Sequence, residues 1–139
     1  MNYYGAKELA AAFRTVRKHT IQIAEDIPEN QYEFRAAPET RTVARTLVHI
    51  AISPRFQLQM QRSGTDDWRQ LDLPAFFQEL IAEESKPRTK AEILALLKSG
   101  GDEFAAFLEG LSESSLPFRR RPVQRLQHIH ITEIVVDPP

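Results

Sequence analysis

Three of the four histidines are the side chains of this chain best suited to chemistry. His49 lies in the apolar run TLVHIAIS, and His128 and His130 alternate with isoleucine near the C-terminus. A titratable ring in an apolar run needs a partner, which can be a backbone group, another side chain or a metal ion. Because the chain contains no cysteine, a zinc-type site must be built from histidines and carboxylates. No spacing of aspartates or glutamates singles out one carboxylate for that role.

The helix that is predicted to carry His49 is apolar on two sides. Thr42 is placed to cap its N-terminus. One apolar row contains Val43, Leu47, Ile50, Pro54 and Leu58, and a second row contains His49, Ser53, Phe56 and Met60. At about 100° per residue the two rows point apart, so neighbours are expected on both sides. Pro54 lacks an amide donor, and its ring crowds the carbonyl group four residues earlier, so a kink is expected one turn after His49.

Two further helices are predicted from apolar spacing. The apolar stripe of the first contains Leu9, Phe13, Val16, Thr20, Ala24 and Ile27. His19 lies at the edge of that stripe, where a solvated or half-exposed side chain is expected. Pro74 is placed in the first turn of a short helix. The predicted buried side of this short helix contains Phe76, Phe77, Leu80 and Ile81.

A long helix follows, and its start is the clearest in the sequence. Thr89 and Glu92 have the spacing of a capping box, in which each residue satisfies a backbone amide of the other. Gly100 and Gly101 interrupt the apolar stripe of this helix at a cost of roughly 2 kcal/mol relative to two alanines. The glycine pair permits a close helix contact, a bend or space beside a pocket. We favour the close contact.

Composition narrows the class of protein. The 139 residues and the hydrophobic content of 42% fit one domain with a real core. The 18 basic and 19 acidic residues leave a net charge of −1, which favours neither nucleic acid nor an acidic membrane surface as a partner. No apolar run approaches the ~20 residues of a membrane span, and none near the N-terminus has signal-peptide length, so a soluble, cytoplasmic protein is expected. The sequence contains no nucleophile–base–acid constellation, phosphate loop or dinucleotide fingerprint.

The C-terminal segment is predicted to be extended, because β-branched residues dominate it after residue 128. On a strand, His128 and His130 point the same way about 6.6 Å apart and can share one metal ion, whereas on a helix they diverge by about 200°. A lone strand leaves its backbone unpaired, so the segment is expected either to pair with its counterpart in a homodimer or to remain poorly ordered. The run from Arg119 to Arg121 lies between prolines and favours a solvated linker over a specific nucleic-acid contact.

Two stretches of the chain resemble a known family. IPENQYEFRAAPETRT followed by TLVHIA, and later SKPRTKAEILALLKSGGDEFAAFLEGLSESSL, are similar to the first connection and the third helix of the DinB-like (DinB/YfiT) family. The resemblance implies an all-α, up-down four-helix-bundle fold. It covers residues 1–116, the predicted helical core. Residues 117–139 form an atypical tail, in which the fourth helix is missing or replaced by extended chain. A shifted reading frame or a truncated gene is another explanation for the composition of the tail.

The resemblance also implies a divalent metal ion, such as zinc, nickel or iron. Metal-binding members take one ligand from a histidine of the second helix, which corresponds to His49. Two more come from a His-x-x-x-His pair on the fourth helix, which has no counterpart here, so His128 and His130 are predicted as substitute ligands.

The implied chemistry is metal-dependent hydrolysis or thiol transfer to a small-molecule substrate, in a pocket lined by Ser53, Phe56 and Met60. The alternative is a non-catalytic helical interaction module in which His49 is a hydrogen-bonded core residue.

Overall fold

The computed structural model describes residues 5–64 and 67–111, and this part of the chain is helical with no strand. The α-helices in chain order are α1 (Ala6–Asp26), α2 (Val43–Ile52), α3 (Arg55–Ser63), α4 (Leu73–Ser85) and α5 (Lys90–Glu109). Single 3-10 turns at Glu29–Gln31 and Trp68–Gln70 lie in the connections. The predicted all-α class is therefore confirmed. The predicted extended tail, residues 117–139, lies outside the described residues.

The long helix α5 is the element on which the others pack. It lies against α1 and α2 and contacts α3, and α2 packs in turn against α4. The ion pair Arg14–Glu109 joins the middle of α1 to the end of α5, and Lys98–Glu25 joins the end of α1 to the middle of α5, so these two helices run antiparallel. The largest fully buried side chains come from α2 and α5: Val48, Ile52, Ile93 and Leu97. The core thus lies directly behind the helix that carries His49.

The buried face of helix α1 overlaps the predicted stripe only in part. Ala24 of the predicted stripe is completely buried, as is Ala10 outside it, whereas Leu9 and Val16 of the stripe remain 38% and 63% exposed. The facing helix α5 also buries a small residue, Ala105. Small residues thus occupy fully buried positions on both helices.

Arg17 of α1 fills the space beside Gly101 of α5. A Cβ atom added at Gly101 would lie only 2.7 Å from Cγ of Arg17. The guanidinium donates from Nη2 to the carbonyl of Ile50 at 3.1 Å, and burial lowers the pKa of Arg17. Its Nη1 is buried with no hydrogen-bond partner in the described part of the chain. The ring of Phe13, 5.3 Å from the guanidinium carbon, offsets part of that cost.

The connection between α1 and α2 fixes where α2 begins. Tyr32 is buried there, and its hydroxyl donates to the carbonyl of Ala24 at 2.7 Å. The amides of Val43 and Ala44 donate back to carbonyl groups of the same connection at 3.1 and 2.9 Å. The Thr42 hydroxyl accepts from the amide three residues later at 3.1 Å, which confirms the predicted cap. The first amides of α2 are therefore already satisfied within the protein.

Pro54 divides the predicted second helix into two. The helix α2 ends at Ile52, and α3 begins at Arg55, directly after the proline. The amide of Ser53 still donates to the carbonyl of His49 at 2.9 Å. Pro54 has no amide with which to continue this pattern, so the predicted kink is a complete helix boundary.

The side of α4 that is buried differs in part from the prediction. Pro74 lies in its first turn as predicted, and Asp72 caps the helix by accepting from the amide of Ala75 at 3.1 Å. Phe77 and Ile81 remain 50% and 56% exposed, so these two residues were wrongly assigned to the buried side. One buried position near the end of α4 is occupied instead by a carboxylate, Glu84.

The long helix α5 begins and packs as its sequence predicts. Thr89 and Glu92 form the predicted capping box. A Cβ atom added at Gly100 would lie 2.8 Å from the carbonyl oxygen of Ala51. The close-contact interpretation is therefore confirmed at Gly100, because α5 passes directly over the backbone of α2 at this point, whereas Gly101 makes room for the Arg17 side chain.

Candidate functional site

His49 forms a pair with a carboxylate that the sequence did not reveal. Its Nδ1 lies 2.5 Å from Oε1 of Glu84, and the other carboxylate oxygen accepts from Nε of Arg41 at 2.9 Å. The side chain of Glu84 is 3% exposed, whereas those of His49 and Arg41 are 43% and 47% exposed. A buried carboxylate therefore joins two half-exposed cationic or neutral donors at the surface of the protein.

Each member of this triad is positioned by a different local feature. His49 lies in the second half of α2, behind which the core is packed. Glu84 lies in the last turn of α4, which packs against α2. Arg41 precedes the capping residue Thr42, so the start of α2 also fixes its backbone. The geometry of the triad therefore depends on the packing of α4 against α2.

The pKa of Glu84 reflects two opposing effects. Burial raises it, but the hydrogen bonds from Arg41 and His49, together with the charges of these partners, outweigh burial and hold the pKa below its ordinary value. Glu84 is therefore ionised at neutral pH. Since an ionised carboxylate can only accept hydrogen bonds, Nδ1 of His49 is the donor in this pair. In the neutral imidazole, the lone pair then lies on Nε2.

Acid is expected to weaken the fold through Glu84. A group whose pKa is lower in the folded than in the unfolded protein stabilises the fold fully above its unfolded value, about 4.3 for glutamate. That contribution is lost as the pH falls through the lower, folded value. We expect urea unfolding between pH 5 and pH 3 to show a larger loss of stability in the wild type than in Glu84→Gln. Equal losses in the two proteins would contradict a lowered pKa at Glu84.

The free side of the His49 ring is accessible. Among the residues that the structure describes, Nε2 has no hydrogen-bond partner. The predicted pocket residues do not all turn towards it: the Ser53 hydroxyl donates to the carbonyl of His49 at 2.5 Å. The ring of Phe56 packs edge-on against Phe76 of α4, with ring centres 5.6 Å apart. Ser53 and Phe56 thus serve the α2–α3–α4 packing in this structure, and Met60 is half-buried nearby in sequence.

Among the described residues, His49 is the one predicted metal ligand. Residues 5–64 and 67–111 contain no group of three histidine, cysteine, aspartate or glutamate side chains that could hold a metal ion. Both oxygens of Glu84 are already occupied by His49 and Arg41. His128 and His130, the predicted substitute ligands, lie outside the described residues. The described residues therefore provide one imidazole ligand, His49, whose other ring nitrogen is bonded to the Glu84 carboxylate.

A signal for Glu84 is present in the sequence. It follows Leu80 by four residues and Phe76 by eight, which places it in line with two of the predicted buried residues of α4. A charged residue at such a position is rarely buried unless it is paired, so it points to a partner on another helix. The sequence does not show that this partner is His49.

Comparison with known proteins defines the family of the chain. No helix in the described part of the chain is long and apolar enough to cross a membrane. No curated protein and no solved structure matches the chain. A family model described as the DinB superfamily matches residues 12–133, a range that extends beyond the predicted core boundary at residue 116. The match covers most of the sequence, and the chain belongs to the DinB superfamily.

Proposed function

We propose that this protein binds one divalent metal ion through Nε2 of His49 and acts on a small-molecule substrate at that metal. The observation that carries the proposal is the hydrogen bond between Nδ1 of His49 and the buried Glu84 carboxylate. It leaves the lone pair of the neutral ring on the exposed nitrogen, which is the state that a metal ligand requires. Membership of the DinB superfamily supports the same role for the histidine of the second helix.

The carboxylate behind His49 is the arrangement that supports a ligating imidazole. Metal-bound histidines commonly donate their second ring nitrogen to a carboxylate, which fixes the tautomer and the orientation of the ring. Glu84 is held in turn by Arg41, so its position does not depend on the metal. The ring would therefore be oriented before the metal arrives.

His128 and His130 are the proposed remaining protein ligands. Imidazole donors suit zinc, nickel and iron, and three of them leave a position open for substrate. A metal held in this way supplies Lewis acidity for hydrolysis or for transfer of a thiol to a small electrophile. The described residues contribute to that chemistry by orienting His49 through its hydrogen bond to the Glu84 carboxylate.

The test is the metal content of the untagged protein, measured by mass spectrometry. We expect about one metal ion per chain in the wild type, and none in His49→Ala or in the double variant His128→Ala/His130→Ala. Glu84→Gln should weaken metal affinity by about 10- to 100-fold, because it removes the charge behind the ligand. The matched control is His19→Ala, which removes an exposed histidine from α1 and should keep the metal. Retention of the metal by His49→Ala would contradict the proposal.

A non-catalytic interaction module is the second candidate. One observation favours it: Glu84 satisfies His49 within the protein, so the histidine has a structural role without any metal. On this proposal the tail, residues 117–139, joins two copies into a cytoplasmic homodimer. A wild type that takes up no zinc, nickel or iron on reconstitution, and that sediments as a dimer, would favour this candidate over the metal site.

A further inference from the structure

A groove lined by arginines lies beside the triad of His49, Glu84 and Arg41. It has a volume of about 730 Å³ and runs between the connection that precedes α2, the start of α2 and the end of α4. Arg35, Arg41 and Arg45 line it together with Ile81 and Glu84. A smaller cavity of about 220 Å³ shares Arg35, Arg45 and Glu84 with the groove. We propose that this groove binds a small organic anion through Arg35 and Arg45.

Two of these arginines have no ion-pair partner in the described part of the chain. Both oxygens of Glu84 are taken by Arg41 and His49, so its charge is already balanced. Arg35 makes only a long hydrogen bond of 3.4 Å, to the carbonyl of Pro38. The Arg45 side chain makes only one hydrogen bond, of 3.4 Å, to the Ser85 hydroxyl. The guanidinium groups of Arg35 and Arg45 therefore keep most of their donors available.

Arg45 carries the stronger indication of a missing partner. Its Nε is buried and has no hydrogen-bond partner within the residues described. A buried donor without an acceptor costs free energy, so the Arg45 guanidinium is incompletely satisfied by the residues around it. Glu33 and Glu39 also line these cavities, but neither forms an ion pair with Arg35 or Arg45. The charges of Arg35 and Arg45 are therefore not neutralised by ion pairs, although two carboxylates lie in the same linings.

The lining indicates an organic oxyanion rather than a simple halide or a polyanion. The planar fork of a guanidinium group matches the paired oxygens of a carboxylate or a phosphate. Ile81 is 56% exposed and provides an apolar wall for a carbon chain. Glu33 and Glu39 in the lining lower the net positive charge of the site, so an anion with one or two charges suits it better than a polyanion such as nucleic acid. The first amides of α2 are already bonded, so the arginines and not the helix terminus would hold the anion.

This inference does not depend on the proposed metal site, although both share Glu84. Anion binding by Arg35 and Arg45 requires no metal and can be measured whether or not a metal is bound. A negative metal analysis and a negative anion titration are therefore separate results. If both sites exist, Glu84 links them, because it lines the groove and contacts His49.

The test is a titration of the full chain with butyrate, succinate and inorganic phosphate, followed by NMR at constant ionic strength set with chloride. We expect saturable shifts, with the dissociation constant raised at least about tenfold in Arg35→Gln and in Arg45→Gln, since each loses charge-assisted hydrogen bonds. Arg35 lies in an exposed connection, so Arg35→Gln should fold even if Arg45→Gln does not. The matched control is Arg62→Gln, which removes a 70% exposed guanidinium that pairs with Glu103 on another face.

The outcomes separate the classes of anion and decide the proposal. Binding of butyrate and succinate but not phosphate would assign carboxylic acids, and the reverse would assign phosphate compounds. Shifts that do not saturate, that persist unchanged in Arg35→Gln, or that weaken equally in Arg62→Gln would overturn the proposal.

Discussion

Replacing Glu84 with alanine is expected to lower the free energy of unfolding by about 2–4 kcal/mol. The substitution removes hydrogen bonds to two cationic or polar partners, Arg41 and His49, and leaves a gap where α4 packs on α2. Because both partners are nearly half exposed, water can satisfy them in part, so the loss should stay below that of a fully buried ion pair. Urea unfolding at pH 7 measures this change.

The matched control for Glu84→Ala is Glu79→Ala, on the same helix. Glu79 is exposed, and it forms no ion pair with any described residue. Its replacement should change the free energy of unfolding by no more than about 0.5 kcal/mol. If Glu84→Ala were as mild as Glu79→Ala, the carboxylate would not hold the two helices together. The assignment of Nδ1 of His49 as a donor would then lose its basis.

Replacing Gly100 with alanine is expected to destabilise the protein by about 1–2 kcal/mol, although alanine is the better helix former. The new Cβ atom would lie 2.8 Å from the carbonyl oxygen of Ala51, so α5 must move away from the backbone of α2. Overpacking of this kind costs about 1–3 kcal/mol, against a gain of up to about 1 kcal/mol in helix propensity. Thermal and urea unfolding give the net sign.

The end of the same helix supplies the control for Gly100→Ala. A Cβ atom at Gly110 would come no closer than 3.5 Å to its nearest neighbour, a carbonyl oxygen of the last turn. Gly110 has a φ of −79°, which alanine adopts without strain. Gly110→Ala should therefore be neutral or slightly stabilising. A Gly100→Ala protein as stable as Gly110→Ala would show that α5 and α2 are not in close backbone contact.

The helix starts could be predicted because their signals are local. The caps at Thr42 and Thr89 depend on a side chain and an amide three residues away, and both form as predicted. The interruption at Pro54 is also local, since it follows from the missing amide of one residue. The size of its effect was underestimated, because the chain turned a predicted kink into the boundary between α2 and α3.

The buried faces were harder to predict than the helices. Large apolar residues at helical spacing define a stripe, but Val16 and Ile81 from two such stripes remain more than half exposed. The covered face of α1 contains the small residues Ala10 and Ala24 and also Arg17, which fills the room at Gly101. Which face is covered depends on the partner helix, about which the sequence of α1 holds no information.

The functional site, like the fold, could be predicted only in part from the sequence. An apolar run around His49 indicated a histidine that needs a partner, and this followed from the sequence alone. Which partner it takes was decided by the packing of α4 on α2, which brings Glu84 to His49 across 35 positions of the chain. Helix caps and periodicity act within a turn or two of chain, so they determine where helices form. The pairing of two helix faces depends on the summed contacts of distant segments, and the His49–Glu84 bond appears only once those contacts exist.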